Sequence, residues 1–123
     1  MTTIHLSDVQ WQERFGWEKA ILFDETDLNS KGSKLQVIKL KENGVIKPHY
    51  HKVRTEVFCV LKGTGVITLD GEDIICKEND FLLCQPNTTH AFINNGNEDF
   101  IIAVFRTNDP GNQDMLWVKD NSI

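Results

Sequence analysis

The chain has 123 residues, which suits one domain and leaves no room for a second. Its 40% hydrophobic and 25% charged residues are typical of a soluble globular protein. Thirteen Lys and Arg face eighteen Asp and Glu, for a net charge of −5, and the basic residues form no run. This balance argues against nucleic acid and anionic membrane as partners. We therefore predict a single domain over residues 1–123.

The three cysteines, Cys59, Cys76 and Cys84, each lie in an apolar run. An odd number without C-x-x-C spacing argues against a disulfide framework and a cysteine zinc site, so we expect free thiols in the core. The N-terminus lacks the pattern of a signal peptide, and no apolar stretch reaches membrane-spanning length. These features predict a cytoplasmic protein.

The predicted elements begin with a short N-terminal helix. Residues 7–10 read as a capping box, Trp11 and Phe15 are spaced i, i+4, and Gly16 would end the helix. The rest of the chain is strand-like, in segments 17–23, 35–41, 45–51, 55–61, 65–70, 72–76, 80–84, 89–94, 99–106 and 114–118.

Turn signals separate these segments, and Asp70-Gly71 between two β-rich runs is the strongest hairpin signal. Short strands at intervals of roughly ten residues are typical of an antiparallel sandwich or barrel. Nothing between them is long enough for the crossover helices of a parallel sheet.

Three of the four histidines are placed so that their side chains can meet. His49 and His51 lie on one predicted strand, where residues i and i+2 project from the same face about 7 Å apart. A polar break over 52–55 follows; if it is a hairpin turn, the next strand returns Glu56 to that face. His90 comes later, after the turn-like 86–89.

Three imidazoles and a carboxylate suit a first-row divalent metal. We therefore predict that His49, His51, Glu56 and His90 bind one Fe, Mn, Ni or Zn ion per chain. An ion that prefers six ligands would keep two positions open, as catalytic sites do. A lone histidine would be better explained as a polar residue at a strand end, but the combined pattern favours metal.

These residues resemble the cupin superfamily. Its first motif is a Gly, H-x-H, three or four residues, a Glu, six residues and a Gly. This chain matches it at Gly44, His49, His51, Glu56 and Gly63, with Gly44 one residue closer to His49 than usual.

The second cupin motif corresponds to residues 79–94, with His90 at the metal-ligand position and Asn94 at the end. Asn79 and Asn87 replace glycines, and Gln85 replaces a proline. Asn accepts left-handed backbone angles, so we expect both turns to survive.

The resemblance covers about residues 35–106. It implies an all-β fold, an antiparallel double-sheet jelly-roll barrel, here with a short N-terminal helix beside it. It also implies that the four matched side chains hold the metal inside the barrel mouth. Relatives are commonly dimeric, often through the N-terminal strand, so we expect a homodimer that uses 17–23.

Three functions remain open at this point. The first is a dioxygenase-like oxidoreductase acting on a small oxygenated metabolite, which the complete three-His, one-carboxylate set favours. The second is metal-assisted isomerisation, epimerisation or decarboxylation of a sugar or keto acid, with Glu56 as ligand or catalytic base. The third is a binding module that captures a small ligand without turnover.

Four further residues are candidates for a substrate pocket. Phe58 and Phe92 share faces with the metal ligands by strand alternation, which suggests an apolar wall, although core packing explains them equally well. Arg54 in the polar break and Arg106 at the end of the last barrel strand are candidates to hold an anionic substrate. The alternative is that both are solvated strand-end charges.

Overall fold

The computed structural model describes residues 2–119, and this part of the chain is almost entirely β-structure. Two 3-10 turns, Leu6–Asp8 and Asn112–Asp114, are its helical segments. No helix within 2–119 is long and apolar enough to cross a membrane. The strands are β1 Gln12–Glu13, β2 Glu18–Phe23, β3 Lys34–Leu40, β4 Val45–His51, β5 Thr55–Lys62, β6 Gly65–Leu69, β7 Glu72–Cys76, β8 Phe81–Cys84, β9 His90–Ile93, β10 Phe100–Thr107 and β11 Met115–Trp117.

The strands form two antiparallel sheets. The six-stranded sheet has the order β1-β2-β3-β10-β5-β8, and the five-stranded sheet has the order β11-β4-β9-β6-β7. The all-β, antiparallel, two-sheet architecture predicted from the sequence is confirmed. Strands β2 to β11 match the predicted segments to within one residue at each end, because alternation and turn residues both act locally.

The predicted N-terminal helix is wrong. Only the single 3-10 turn Leu6–Asp8 forms, and Gln12–Glu13 pairs as a strand with the start of β2. Phe15 is 95% exposed, so its i, i+4 spacing from Trp11 buries no shared apolar face. Gly16 has φ +83° and belongs to the bend that joins β1 to β2, rather than to a helix end.

The hydrophobic core fills the space between the inner faces of the two sheets. Phe58 of the six-stranded sheet packs edge-on against Phe92 of the five-stranded sheet, with ring centroids 5.1 Å apart. Full burial of such a side chain contributes about 1.5–3 kcal/mol. Cys76 and Cys84 are free thiols buried in this core, whereas Cys59 is half-buried.

Asparagine and aspartate form the tight turns that the sequence predicted. Asp70 and Gly71 have φ of +48° and +80° and join β6 to β7 as a two-residue hairpin. Asn79 and Asn87 have φ of +73° and +66°, so the two positions where cupins usually have glycine keep left-handed backbone angles.

Candidate metal centre

The three histidines lie together on the inner face of the five-stranded sheet. His49 on β4 is directly opposite His90, the first residue of β9. Their ring centroids are 4.2 Å apart, and the ring of His51 lies 5.3 Å from His49 and 5.2 Å from His90. All three side chains are buried. The prediction that H-x-H and the distant histidine meet is confirmed.

Glu56 reaches this cluster from the opposite sheet. The polar break over 52–55 allowed a hairpin between β4 and β5, but these strands lie in different sheets, so that hairpin is wrong. The segment 52–54 crosses between the sheets, and Glu56 faces the histidines across the barrel interior. Its Oε1 lies 3.2 Å from Nε2 of His51 and 3.4 Å from Nε2 of His90.

Backbone carbonyls fix the orientation of two of the imidazoles. Nδ1 of His49 is 2.8 Å from the Lys47 carbonyl, and Nδ1 of His90 is 2.9 Å from the Thr88 carbonyl. Because a carbonyl only accepts, each Nδ1 donates, and each neutral ring keeps its lone pair on Nε2. Such carbonyl partners are typical of metal-binding histidines.

His51 differs from the other two histidines. Its Nε2 accepts a hydrogen bond from the Arg54 guanidinium at 2.7 Å, and its buried Nδ1 has no hydrogen-bond partner within the described chain. Ion binding through Nε2 would therefore exchange this hydrogen bond for a coordinate bond.

The three histidines each offer a ligand atom, and these atoms lie within 4.8 Å of one another, so the group could hold a metal ion. Glu56 adds a carboxylate oxygen beside two of them. This donor set fits a first-row divalent ion.

His49 and His90 differ in pKa, because their surroundings act on the two imidazoles in opposite directions. Burial and the neighbouring His90 lower the pKa of His49 to about 4. Burial acts in the same direction on His90, but the Cys84 thiol, Glu56 and the Thr88 carbonyl outweigh it and raise the pKa of His90 to about 9. Without metal, a proton at neutral pH therefore resides on His90, and His49 is neutral.

Glu56 is held as a carboxylate. Burial favours its protonated form, but its contacts with His51 and His90 and the charge of Arg54 hold the pKa of Glu56 well below its usual range. A carboxylate oxygen that is charged at neutral pH, beside two imidazoles, can act as a metal ligand or as a proton acceptor for a substrate.

Two arginines face the other oxygen of Glu56. Oε2 lies 3.6 Å from Arg54 and 3.8 Å from Arg106, and Oδ2 of Asp109 lies 3.4 Å from both guanidinium groups. Each arginine side chain is only 11% exposed. The interpretation of these residues as solvated strand-end charges is therefore wrong. They belong to a buried network that runs from the histidines through Glu56 to Asp109.

A cavity of about 300 Å³ opens beside the cluster. His49, His90 and Glu56 contribute to its wall, and so do the four residues predicted for the pocket: Phe58, Phe92, Arg54 and Arg106. Its size is at the lower end for ligand sites, about 300–1,000 Å³, which indicates a small ligand.

Asp114 was not predicted from the sequence as part of the site. This buried side chain accepts hydrogen bonds from the backbone N–H groups of Lys52, Val53 and Arg54 at 2.9–3.0 Å. It thereby fixes the crossing between His51 and Glu56. Residue 114 is about sixty positions away along the chain, and its local sequence carries no signal for this contact.

Lys19 on β2 and Gln36 on β3 are among the cavity residues that were not predicted from the sequence. A signal for Gln36 was present, because strand alternation places it on the same face as the apolar Ile38 and Leu40, where a polar side chain is unusual.

Residues 36–105 match the family model of the cupin domain. The chain belongs to the cupin family. This cupin is 27% identical to the oxalate-binding protein of Thermotoga maritima over 82 residues, which are 67% of this chain and 68% of the relative. It is 38% identical to quercetin 2,3-dioxygenase of Bacillus subtilis over 47 residues, which are 38% of this chain and 14% of that enzyme.

Among solved structures, this cupin resembles a predicted oxalate decarboxylase of Thermotoga maritima. The TM-score is 0.80 at 19% identity, over 86% of this chain and 98% of the other. At this identity the likeness establishes the fold, and function has to be argued from the site.

Proposed function

We propose that this cupin is a metal-dependent enzyme that acts on a small, anionic, oxygenated metabolite, with dioxygenase-like oxidation as its reaction. The observation that carries the proposal is the buried histidine cluster, in which backbone carbonyls contact Nδ1 of His49 and of His90. This leaves Nε2 as the ring nitrogen that can bind an ion, in His90 with release of its proton. A structural polar cluster needs no adjoining cavity, whereas this one contributes to the wall of a cavity of about 300 Å³.

Each part of the site has a role in this proposal. His49, His51, Glu56 and His90 would hold an Fe or Mn ion, which supplies redox chemistry when bound. Phe58 and Phe92 form an apolar wall that limits water near the reacting atoms. Arg54 and Arg106 stabilise the charge on Glu56 and attract an anionic substrate. The match to quercetin 2,3-dioxygenase supports the reaction class over 47 residues.

A second candidate is decarboxylation, isomerisation or simple binding of a small carboxylic acid. The excess of cationic side chains around the cavity favours it, and relatives are named an oxalate-binding protein and a predicted oxalate decarboxylase. In this case the charged Glu56 acts as a base or only as a ligand, and no oxygen is consumed.

Metal analysis and oxygen consumption distinguish the two candidates. The protein is purified without chelator or affinity nickel, its metal is measured by mass spectrometry and electron paramagnetic resonance, and His49→Ala protein is the control. About one Fe or Mn per chain, with oxygen uptake on a panel of small acids, would support the dioxygenase.

Turnover or binding of these acids without oxygen uptake would favour the second candidate. No metal even after reconstitution would overturn both enzyme proposals. The homodimer and the cytoplasmic location expected from the sequence remain predictions, and sedimentation equilibrium measures the first of them.

A further inference from the structure

We propose that Lys19 and Gln36, together with Arg106, form a subsite that binds the carboxylate and hydroxyl groups of a small hydroxy acid. The inference rests on the proposed function, because it places the substrate of that site in the same cavity. It adds the chemical class of the substrate and two residues that select it.

Strand register brings these three residues together on the inner face of the six-stranded sheet. Gln36 on β3 is directly opposite Val104 on β10, and Arg106 follows two residues along that strand. Lys19 on β2 is directly opposite Ile38, two residues beyond Gln36. Such diagonal neighbours lie about 7–8 Å apart, within reach of long side chains.

The diagonal formed by Lys19, Gln36 and Arg106 lies next to the histidine cluster. Val104 separates Gln36 from Phe58 on β5, and the ring of Phe58 packs 5.6 Å from the ring of His90. Glu56 is directly opposite Arg106. A small molecule in the cavity can therefore contact the diagonal with one end while its other end faces the histidines.

Gln36 carries the clearest sign of a missing partner. It is only 6% exposed and lines the cavity, yet no donor within residues 2–119 reaches its buried Oε1. Buried polar atoms in folded proteins almost always have a partner, so an orphan at a cavity wall points to a ligand. Since Oε1 only accepts, the matching ligand group is a donor such as a hydroxyl.

The charge around the cavity selects an anion. Four cations line it, Arg14, Lys19, Arg54 and Arg106, against one carboxylate, Glu56. Asp109 compensates Arg54 and Arg106, whereas Lys19 forms no ion pair in the described part of the chain.

Arg14 and Lys19 both lack an ion pair within residues 2–119, but Arg14 is exposed and bonds to Gln12, so Lys19 is the half-buried cation that is left for a ligand. Burial and the neighbouring Arg14 and Arg106 lower the pKa of Lys19, as expected for a cation crowded by like charges. A carboxylate beside Lys19 would relieve this repulsion and complete the charge balance of the cavity.

The test uses metal-free protein, so that binding is read without turnover. Succinate and L-malate form a matched pair of dicarboxylates that differ by one hydroxyl, and calorimetry measures their Kd values. We expect malate to bind more tightly than succinate. Lys19→Met should weaken binding of both acids by roughly tenfold or more, because a hydrogen bond to a charged group is lost. Lys62→Met, at an exposed lysine of the same sheet, is the control.

Gln36→Met should remove the preference for malate and leave succinate binding close to wild type. Gln36→Glu is a second variant that keeps the polar volume and should weaken both acids by repulsion. Wild-type protein that binds neither acid, or Lys19→Met protein that binds both as wild type does, would overturn the subsite. A Gln36→Met variant that still prefers malate would overturn the hydroxyl assignment.

Metal content measured on the same preparations separates this inference from the proposed function. If the protein binds the acids but takes up no metal, the subsite is supported and the proposal of a metal-dependent enzyme is wrong. If the protein takes up metal but binds neither acid, the metal site is supported and the subsite is wrong.

Discussion

Asp114 offers a direct test of how the metal centre is held in place. Its carboxylate accepts three backbone hydrogen bonds from 52–54, the segment that carries the chain from His51 in one sheet to Glu56 in the other. Asp114→Ala removes all three side-chain acceptor contacts at a buried position. The N–H groups of Val53 and Arg54 then lose this acceptor, whereas the Lys52 N–H keeps its hydrogen bond to the backbone carbonyl of residue 114. We expect this variant to lose both stability and metal affinity.

The magnitude follows from the number and kind of these bonds. A hydrogen bond to a charged group contributes roughly 1.5–3 kcal/mol, but bonds to a shared acceptor are not additive. Removal of the buried carboxylate also recovers part of its desolvation free energy. We therefore expect the free energy of unfolding to fall by about 3 kcal/mol. Loss of such supporting contacts lowers metal affinity by roughly 10–100-fold.

Urea denaturation of metal-free protein measures the first quantity, and competition with a chelator measures the second. Asp114→Asn is the matched control, because its amide keeps the volume and one oxygen acceptor and should fall between wild type and Ala. If Asp114→Ala unfolds within about 0.5 kcal/mol of wild type and retains metal equally well, the crossing is held by other contacts and the argument is wrong.

Three further predictions concern the ligands themselves. His49→Ala or His90→Ala should sharply lower the metal content measured by mass spectrometry, while circular dichroism still reports a folded barrel; full occupancy in both variants would exclude this ligand set. Glu56→Gln should destabilise metal-free protein by about 3 kcal/mol, because Arg54 and Arg106 lose a buried counter-charge, and denaturation checks this value. In metal-free protein the raised pKa of His90, about 9, stabilises the fold below the unfolded value of about 6.5, and this contribution is lost as pH rises through 9. The lowered pKa of His49, about 4, removes stability as pH falls from about 6.5 towards 4, since the unfolded chain then binds the extra proton. The free energy of unfolding should therefore peak near pH 6.5 and decline by about 3 kcal/mol on each side. If the free energy of unfolding stays constant from pH 6.5 to 9, the raised pKa of His90 is wrong.

The strands and the histidine pair were predictable because their signals are local. Alternation fixes which residues share a face, and Asp70-Gly71 fixes a hairpin within two residues. The prediction of the N-terminal helix was wrong because it, too, used only local signals. A capping pattern describes one turn, and the exposure of Phe15 depends on sheet packing that the first sixteen residues do not encode.

The parts of the site that the sequence did not predict depend on long-range register. Asp114 meets the 52–54 crossing only because β11 pairs with β4 beside His51, more than sixty residues away. Lys19 approaches Gln36 only because β2 and β3 pair across a long turn. Nothing local distinguishes these residues from solvated surface charges, although Gln36 was visible as a polar residue at an inward position.

The division of the site between two sheets links the metal centre to the fold. The histidines lie on one sheet, and Glu56 with its two arginines lies on the other, so the donor set exists only when the sheets are packed together. The buried charges alternate in sign, from His90 through Glu56 and the arginines to Asp109, and each charge has an opposite neighbour. Removal of any member leaves its neighbours with one opposite charge fewer in a site with little access to water. The same network that holds the candidate metal ligands therefore also favours the closed barrel.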